Sequence, residues 1–281
     1  MSATETSGRM PFMQHLVELR KRIIFSLVAI FCGAVVCWIF YGWIVDTLID
    51  PYCEVVSPDA AGLTETEPTR ALTETERVLG PGNCRLLSTD PLEPLSVRFS
   101  VAAYGGAALA MPFILWQIWR FVVPALKKTE RRYALFFVLS GVVLFIAGAA
   151  LAYWSIPRAL DFLIAVGGND FVNIFSPRSY ISFIVKMMLA FGIGFEFPVL
   201  LIFSQMIGIV QTSTLRRNRR YAIAAIVVIT AILTPSGDPI TLLVLSVPLY
   251  IFYELSIIYG WQRGKRLTKK SRKEVAANKL P

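Results

Sequence analysis

The sequence has little charge and few of the residues that metal and catalytic sites usually need. Asp, Glu, Lys and Arg make up only 17% of its 281 residues, and 55% are apolar, whereas soluble domains average about 25% charged. A single histidine, His15, and four cysteines exclude a histidine-rich metal site and a dense disulfide framework. The composition therefore indicates an integral membrane protein.

Signatures of covalent catalysis are also missing. The chain contains no HExxH, GxSxG, CxxC or phosphate-binding GxxxxGK[ST] motif. Its apolar segments hold no paired aspartates of the kind that an intramembrane protease would use. We therefore predict a protein that is not an enzyme and that needs no metal or cofactor.

Apolar runs long enough to cross a membrane occur four times, and two shorter runs follow. About 20 residues cross the roughly 30 Å hydrocarbon core. The four long candidates are residues 23–45, 99–119, 134–154 and 180–209. The shorter runs, 221–233 and 240–253, flank a Pro- and Gly-containing turn. We interpret them as two short spans rather than as a re-entrant hairpin, because basic clusters flank only the outer ends of the pair.

The distribution of basic residues predicts the orientation. The N-terminal 22 residues, two of the loops and the tail from Tyr259 hold 21 of the 28 Lys and Arg residues, whereas residues 46–94 hold ten acidic residues and three arginines. Because cytoplasmic loops retain Lys and Arg, we expect both termini in the cytoplasm. The predicted fold is an all-α integral membrane protein with six transmembrane helices, the last two short. The net charge of +9 then reflects topology, and no nucleic-acid partner is expected.

These segments divide the chain into three parts. Residues 1–22 are expected to form a cytoplasmic segment with an interfacial helix, and residues 23–258 a six-helix transmembrane domain with an extended external loop at 46–95. Residues 259–281 are expected to form a basic cytoplasmic tail that is either disordered or bound to anionic membrane lipid. Cys53 and Cys84 both lie in the external loop, outside the reducing cytosol, and are candidates for a disulfide.

Glu196 is a carboxyl group near the middle of the fourth apolar run. A charged side chain costs a few kcal/mol at that depth unless it has a partner or a wet cavity. Pro198 removes a backbone donor two residues later and predicts a kink. Two interpretations stay open: a carboxyl group hydrogen-bonded inside the bundle, or one on a concave, partly hydrated face.

Two further carboxylates stand among basic residues on the predicted cytoplasmic side. Glu18 lies in FMQHLVELRKR and Glu130 in FVVPALKKTERR. Each is either neutralised by its own neighbours, as by Arg22 at i+4 from Glu18, or offers a forked acceptor to an incoming guanidinium group. The sequence pattern alone favours neutralisation.

Four segments together resemble the TatC family, the receptor and core subunit of the twin-arginine protein translocase. They are FMQHLVELRKR, WQIWRFVVPALKKTERR, SFIVKMMLAFGIGFEFPVLL and RRYAIAAIVVITAILTPSGDP, in that order. The resemblance implies binding of the twin-arginine signal peptide of folded precursor proteins in a bacterial plasma membrane. It also implies export driven by the proton-motive force, with single-span TatA and TatB partners and self-association into a multimeric complex.

The resemblance also implies roles for individual residues. Glu18 and Glu130 match the acids that take the arginine pair, and Arg20, Phe121 and Leu126 match the surrounding recognition surface. Three further residues match polar or helix-bending positions of the family within the membrane, namely Pro51, Glu196 and Asp238. These positions are expected to contact partners and to shape a concave bundle.

A small-solute secondary transporter that uses Glu196 as its proton carrier is the alternative function. Such transporters usually consist of two related halves around a midplane site. The two halves of this sequence do not match each other, which disfavours that alternative.

Overall fold

The computed structural model describes residues 12–56, 86, 88, 90–122, 134–167, 175–234 and 238–277. These ranges contain helices and no strand. In chain order the helices are α1 (Phe12–Ile39), α2 (Tyr41–Val56), α3 (Glu93–Val122), α4 (Ala134–Gly167), α5 (Pro177–Phe195), α6 (Phe197–Met206), α7 (Thr212–Arg217), α8 (Arg219–Leu233) and α9 (Pro239–Ala277).

The long helices alternate in direction between two ends of the bundle. Arg22 near the start of α1 contacts Gln117 near the end of α3, so these two helices are antiparallel. The starts of α3 and α5 lie together, because the backbone N–H of Arg178 donates to Glu93 at 2.9 Å. We call the end that holds Arg22 and Gln117 the Glu18 end, and the end that holds Glu93 the Glu93 end.

Within the described ranges, five helical segments are long and apolar enough to cross a membrane. They are Leu16–Ile39, Glu93–Phe121, Leu135–Val166, Pro177–Met206 and Pro239–Lys265. The helix α8 has 15 residues and reaches only about 22 Å at ~1.5 Å per residue. The all-helical, multi-span class is confirmed, whereas the count of six spans and the side on which the termini lie stay predictions.

The last helix corrects one expectation. The run at 240–253 is not a short span, because α9 continues for 39 residues through most of the basic tail. No proline follows Pro248 until Pro281, and Lys and Arg are good helix formers, so the helix does not end where the apolar run ends.

Two other boundaries also differ from the sequence interpretation. The helix α1 begins at Phe12 and passes into the first span without a break, so the expected interfacial segment belongs to the same helix. At the other end, α2 extends to Val56, and the first part of the expected external loop is therefore helical.

The main core surrounds α5 between α2, α4 and α9. Tyr180, Ile156 and Leu245 are fully buried there. The Tyr180 hydroxyl donates to the Leu48 carbonyl of α2 at 3.0 Å, and the Tyr180 ring lies 5.3 Å from the Tyr52 ring between centroids. Burial raises the pKa of the Tyr52 hydroxyl, so this group stays protonated and neutral in the core.

A close glycine contact joins α1 to α3. A Cβ on Gly33 would lie 2.6 Å from the Gly106 carbonyl oxygen, and a Cβ on Gly106 would lie 2.5 Å from the Ala34 nitrogen. Small residues let helix backbones approach in this way in membranes. The contact holds α1 in register with α3 and thereby positions Glu18 near the end of α3.

Candidate functional site

Glu18 is held at the Glu18 end by an ion pair that reaches across to α3. Arg22 donates from Nη2 to Glu18 Oε1 and from Nη1 to Gln117 Oε1 at 3.2 Å. The neutralisation by Arg22 that the sequence suggested is therefore present. The Glu18 side chain keeps 25% of its surface exposed, and its Oε2 accepts no hydrogen bond from the residues that the structure describes.

An aromatic cluster packs the same end of the bundle. Trp119 of α3 stacks on Phe137 of α4, with centroids 4.6 Å apart and ring planes at 22°. Phe203 of α6 meets Trp119 edge-on at the same separation of 4.6 Å. The cluster fixes the end of α3 against the start of α4. Phe121, one of the predicted recognition residues, lies two residues beyond it and is half-buried.

The remaining predicted recognition residues fall into two groups. Arg20 is exposed on α1. Leu126 and Glu130 lie outside the described residues, in the segment 123–133 that joins α3 to α4. Because Trp119 and Phe137 stack, both attachment points of that segment are at the Glu18 end. The structure thus describes one of the two predicted guanidinium-binding carboxylates.

Glu196 lies at the junction between α5 and α6. The first helix ends at Phe195 and the second begins at Phe197, so the interruption predicted from Pro198 is confirmed. The Glu196 side chain is buried beside Gly141 of α4, where a Cβ would lie 2.8 Å from Glu196 Oε2. Its Oε1 is buried without a hydrogen-bond partner in the described part of the chain. Glu196 is therefore enclosed in the bundle, but the hydrogen bond expected for an enclosed Oε1 is not formed there.

Asp238 and Pro51 are likewise buried. Asp238 precedes α9 and caps it, because Oδ1 accepts a hydrogen bond from the Thr241 backbone N–H at 2.7 Å and Oδ2 from the Thr241 hydroxyl at 2.5 Å. Pro51 lies inside α2. Direct contact between a partner helix and any of Glu196, Asp238 or Pro51 would require local rearrangement.

The cysteines fall into two classes. Cys32 and Cys37 are free thiols on α1, the first exposed and the second buried. Cys53 on α2 is disulfide-bonded. Cys84 lies outside the described residues, so the pairing of Cys53 with Cys84 stays a prediction.

The sequence interpretation missed Gln117 and the Trp119 cluster. Both lie in the apolar run that was interpreted only as a span. In WQIWRF, large aromatic side chains alternate with a single amide. This pattern indicates a helix end that is packed against its neighbours and carries a polar side chain. Which neighbour each side chain meets depends on α1, α4 and α6, and no local pattern carries that information.

Comparisons with known proteins agree on one family. The family described as "TatC: Sec-independent protein translocase protein (TatC)" matches residues 14–248. A Sec-independent protein translocase protein TatC from Frankia casuarinae is 34% identical over 272 residues, which cover 95% of this chain and 70% of the relative. The TatC of Aquifex aeolicus is 32% identical over 269 residues, covering 95% of this chain and 99% of the relative.

Solved structures lead to the same family. A crystal structure of the twin arginine translocase receptor TatC is similar to this chain with a TM-score of 0.68 at 32% identity, covering 88% of this chain and 98% of the other. A second crystal structure of that receptor, in the detergent DDM, has a TM-score of 0.69 and the same identity of 32%. The chain therefore belongs to the TatC family, the non-enzymatic membrane components of the Sec-independent protein translocase.

Proposed function

We propose that this chain is the receptor subunit that binds the twin-arginine signal peptide of folded precursor proteins at its Glu18 end. Glu18 and Glu130 each accept one guanidinium group of the arginine pair, and Arg20, Phe121 and Leu126 form the surrounding surface. The observation that supports this proposal is the Glu18 carboxylate. Its Oε1 accepts from Arg22, which Gln117 holds in turn, and its Oε2 accepts no hydrogen bond from the described part of the chain.

The Arg22–Gln117 hydrogen bond explains how Glu18 can serve a ligand while already paired. A guanidinium group presents several donors in one plane and binds a carboxylate through two parallel hydrogen bonds. An incoming arginine can approach Oε2 while Arg22 keeps Oε1. If Arg22 loses that contact, Gln117 still accepts from its Nη1 at 3.2 Å. A lysine offers a point charge without the fork, so the site should prefer arginine.

The wider assignment follows from the family and from the sequence. Both termini lie in the cytoplasm of a bacterial plasma membrane, and the chain associates with copies of itself and with TatA- and TatB-type single-span partners. These assemblies export folded precursors by means of the proton-motive force. Because Glu196, Asp238 and Pro51 are buried, we assign them the role of shaping the helices against which partners pack.

Site-specific photocrosslinking tests the recognition site. A photoreactive residue at Arg20 should crosslink to a signal peptide with an Arg-Arg pair and much less to the Lys-Lys version. The changes Glu18→Gln and Glu130→Gln should each weaken crosslinking. Each exchange removes one charge-assisted pair, and a hydrogen bond to a charged group contributes about 1.5–3 kcal/mol, so the apparent affinity should fall at least tenfold.

Glu254→Gln provides a matched control for Glu18→Gln. Glu254 has the same exposure, 25% of its side chain, and pairs with an arginine, Arg219, at 2.8 Å. It lies on α9, whereas the Arg22–Gln117 contact joins α1 to α3. Full crosslinking and export by the Glu18→Gln, Glu130→Gln double variant would refute the site, as would equal losses in the Glu254→Gln control.

One observation leaves the transporter alternative open to test. The buried Glu196 has an oxygen without a hydrogen-bond partner among the described residues, which is compatible with a proton carrier. Proton-driven solute uptake by the purified chain alone in liposomes, lost in Glu196→Gln, would favour that alternative over the receptor. We expect no uptake, because the receptor acts on precursors only together with its partners.

A further inference from the structure

A cavity of about 1120 Å³ opens at the Glu18 end between α7, the start of α8 and the far part of α9. Four cationic side chains line it, those of Arg216, Arg217, Arg219 and Lys265, and none of the described residues that line it is acidic. Thr212 and Ser213 add hydroxyl groups. The cavity is therefore suited to an anion that accepts several hydrogen bonds.

The positive charge of this cavity is largely uncompensated. Arg219 forms an ion pair with Glu254 at 2.8 Å. Arg216 and Arg217 are exposed and have no ion pair or hydrogen bond with any residue in the described ranges. Lys265 places its Nζ 3.5 Å from the centroid of the Trp261 ring. Neighbouring cations without counter-charges favour binding of an anion from outside the chain.

Close packing of α7 on α9 builds the cavity wall. The Gln205 Oε1 and Thr212 Oγ1 atoms occupy the space that a Cβ on Gly260 would take, so α7 and Gln205 pack closely against α9 at this glycine. The Thr212 hydroxyl donates to Gln205 Oε1 at 3.0 Å, and the Tyr253 hydroxyl donates to the Leu215 carbonyl at 2.7 Å. These contacts fix the backbone that carries Arg216 and Arg217.

The opposite wall is apolar and lies where the membrane-spanning part of α9 ends. Ile257, Ile258 and Trp261 line it, and the apolar segment of this helix extends from Pro239 to Lys265. Tryptophan is enriched where hydrocarbon meets headgroups. A ligand here would meet cations on one side and hydrocarbon on the other, so an amphiphile fits both walls and a free anion fits only one.

We propose that this cavity binds the headgroup of an anionic phospholipid. Arg216 and Arg217 donate to the phosphate, and the acyl chains lie along the exposed Ile258 side of α9. Basic pockets between transmembrane helices bind anionic lipid headgroups in this manner. The same positive charge repels an arginine pair, so the cavity does not suit the arginines of a signal peptide. The lipid site does not depend on the proposed receptor function.

Lipid titration of the full-length protein in detergent tests the site. Dioctanoyl phosphatidylglycerol should raise the unfolding midpoint in a saturable way. Dioctanoyl phosphatidylcholine, which has no net charge, and inorganic phosphate, which has no acyl chain, should not. Each cation near a lipid headgroup contributes about 1 kcal/mol, so the Arg216→Gln, Arg217→Gln double variant should raise the apparent Kd for phosphatidylglycerol about thirtyfold.

The Lys269→Gln, Lys270→Gln double variant is the matched control. It removes the same charge from α9, about one turn beyond Lys265 in the sequence, and it should leave the apparent Kd unchanged. An equal loss in this control would overturn the proposal in favour of general attraction to the basic tail. An equal response to phosphatidylcholine or to inorganic phosphate would overturn it in favour of an apolar groove or a simple anion site.

A second measurement uses the unchanged protein and does not depend on variants that fold. Phosphatidylglycerol with a photoreactive group in its headgroup should label residues 212–219 and 257–265 in vesicles that contain phosphatidylglycerol. Labels spread evenly over the basic loops, or absent from these two segments, would contradict the site.

Discussion

The Gly33–Gly106 contact makes a sharp prediction, because each glycine faces backbone rather than a movable side chain. A Cβ on Gly106 would lie 2.5 Å from the Ala34 nitrogen, 2.7 Å from the Ala34 Cα and 2.8 Å from the Ile30 carbonyl oxygen. Ordinary contacts between carbon atoms are about 3.5–4.0 Å, so α1 would have to move roughly 1 Å away from α3. No change of rotamer can relieve the clash.

The magnitude follows from two opposing terms. Overpacking of a close contact costs about 1–3 kcal/mol, and we take the upper part of that range because backbone atoms are involved. Replacement of glycine by alanine inside a helix returns at most about 1 kcal/mol. Gly106→Ala should therefore destabilise the fold by about 2 kcal/mol, which is roughly a thirtyfold change in the unfolding equilibrium.

Reversible unfolding of the purified protein in mixed micelles measures this effect. Gly42→Ala is the matched control, since no atom of another helix in the described ranges lies within 4 Å of a Cβ built at Gly42, and it should be neutral or slightly stabilising. The Gly33→Ala, Gly106→Ala double variant should lose less than the sum of the single losses, because both changes separate the same helix pair. Unfolding of Gly106→Ala at the wild-type midpoint would refute the close approach of α1 and α3.

Two further predictions concern single hydrogen bonds. Asp238→Ala removes the cap of α9 and should destabilise the fold by about 1–2 kcal/mol. Asp238→Asn keeps an acceptor for the Thr241 N–H and should lose less stability. Equal losses of the two variants in urea-induced unfolding would contradict the capping role. Gln117→Leu deprives Arg22 of its acceptor on α3. The change should lower the free energy of unfolding by about 1–3 kcal/mol and weaken signal-peptide crosslinking at Arg20. A variant with normal stability and crosslinking would show that the bridge does not position Glu18.

Local patterns predicted the elements of this fold well. Apolar runs located α1, α3, α4 and the α5–α6 pair, since each of these must be covered by hydrocarbon along its length. The break at Glu196 followed from Pro198, because a missing N–H acts within one turn. The Glu18–Arg22 pair followed from the i,i+4 spacing in a helix.

The contacts that give the site its shape were not predictable in the same way. Gly33 and Gly106 are far apart in the sequence, and Arg22 and Gln117 are 95 positions apart. Whether they meet depends on the register between two helices. The length of α9 was underestimated for another reason. Its apolar run ends near Tyr253, but backbone hydrogen bonds continue for as long as the residues tolerate the helix, which here extends to Ala277.

The helix α3 separates Glu18 from Glu196, the two singled-out glutamates that the structure describes. Successive residues of an α-helix are about 100° apart, so Leu115 and Trp119 share one face and Gln117 lies nearly opposite. Leu115 borders Gly141 together with Glu196, whereas Gln117 faces α1 and holds Arg22 beside Glu18. The two acids therefore lie on opposite sides of one helix. A substitution at Glu196 can reach Glu18 only by displacing α3, because the glycine contact and the Arg22–Gln117 bridge both tie α1 to that helix.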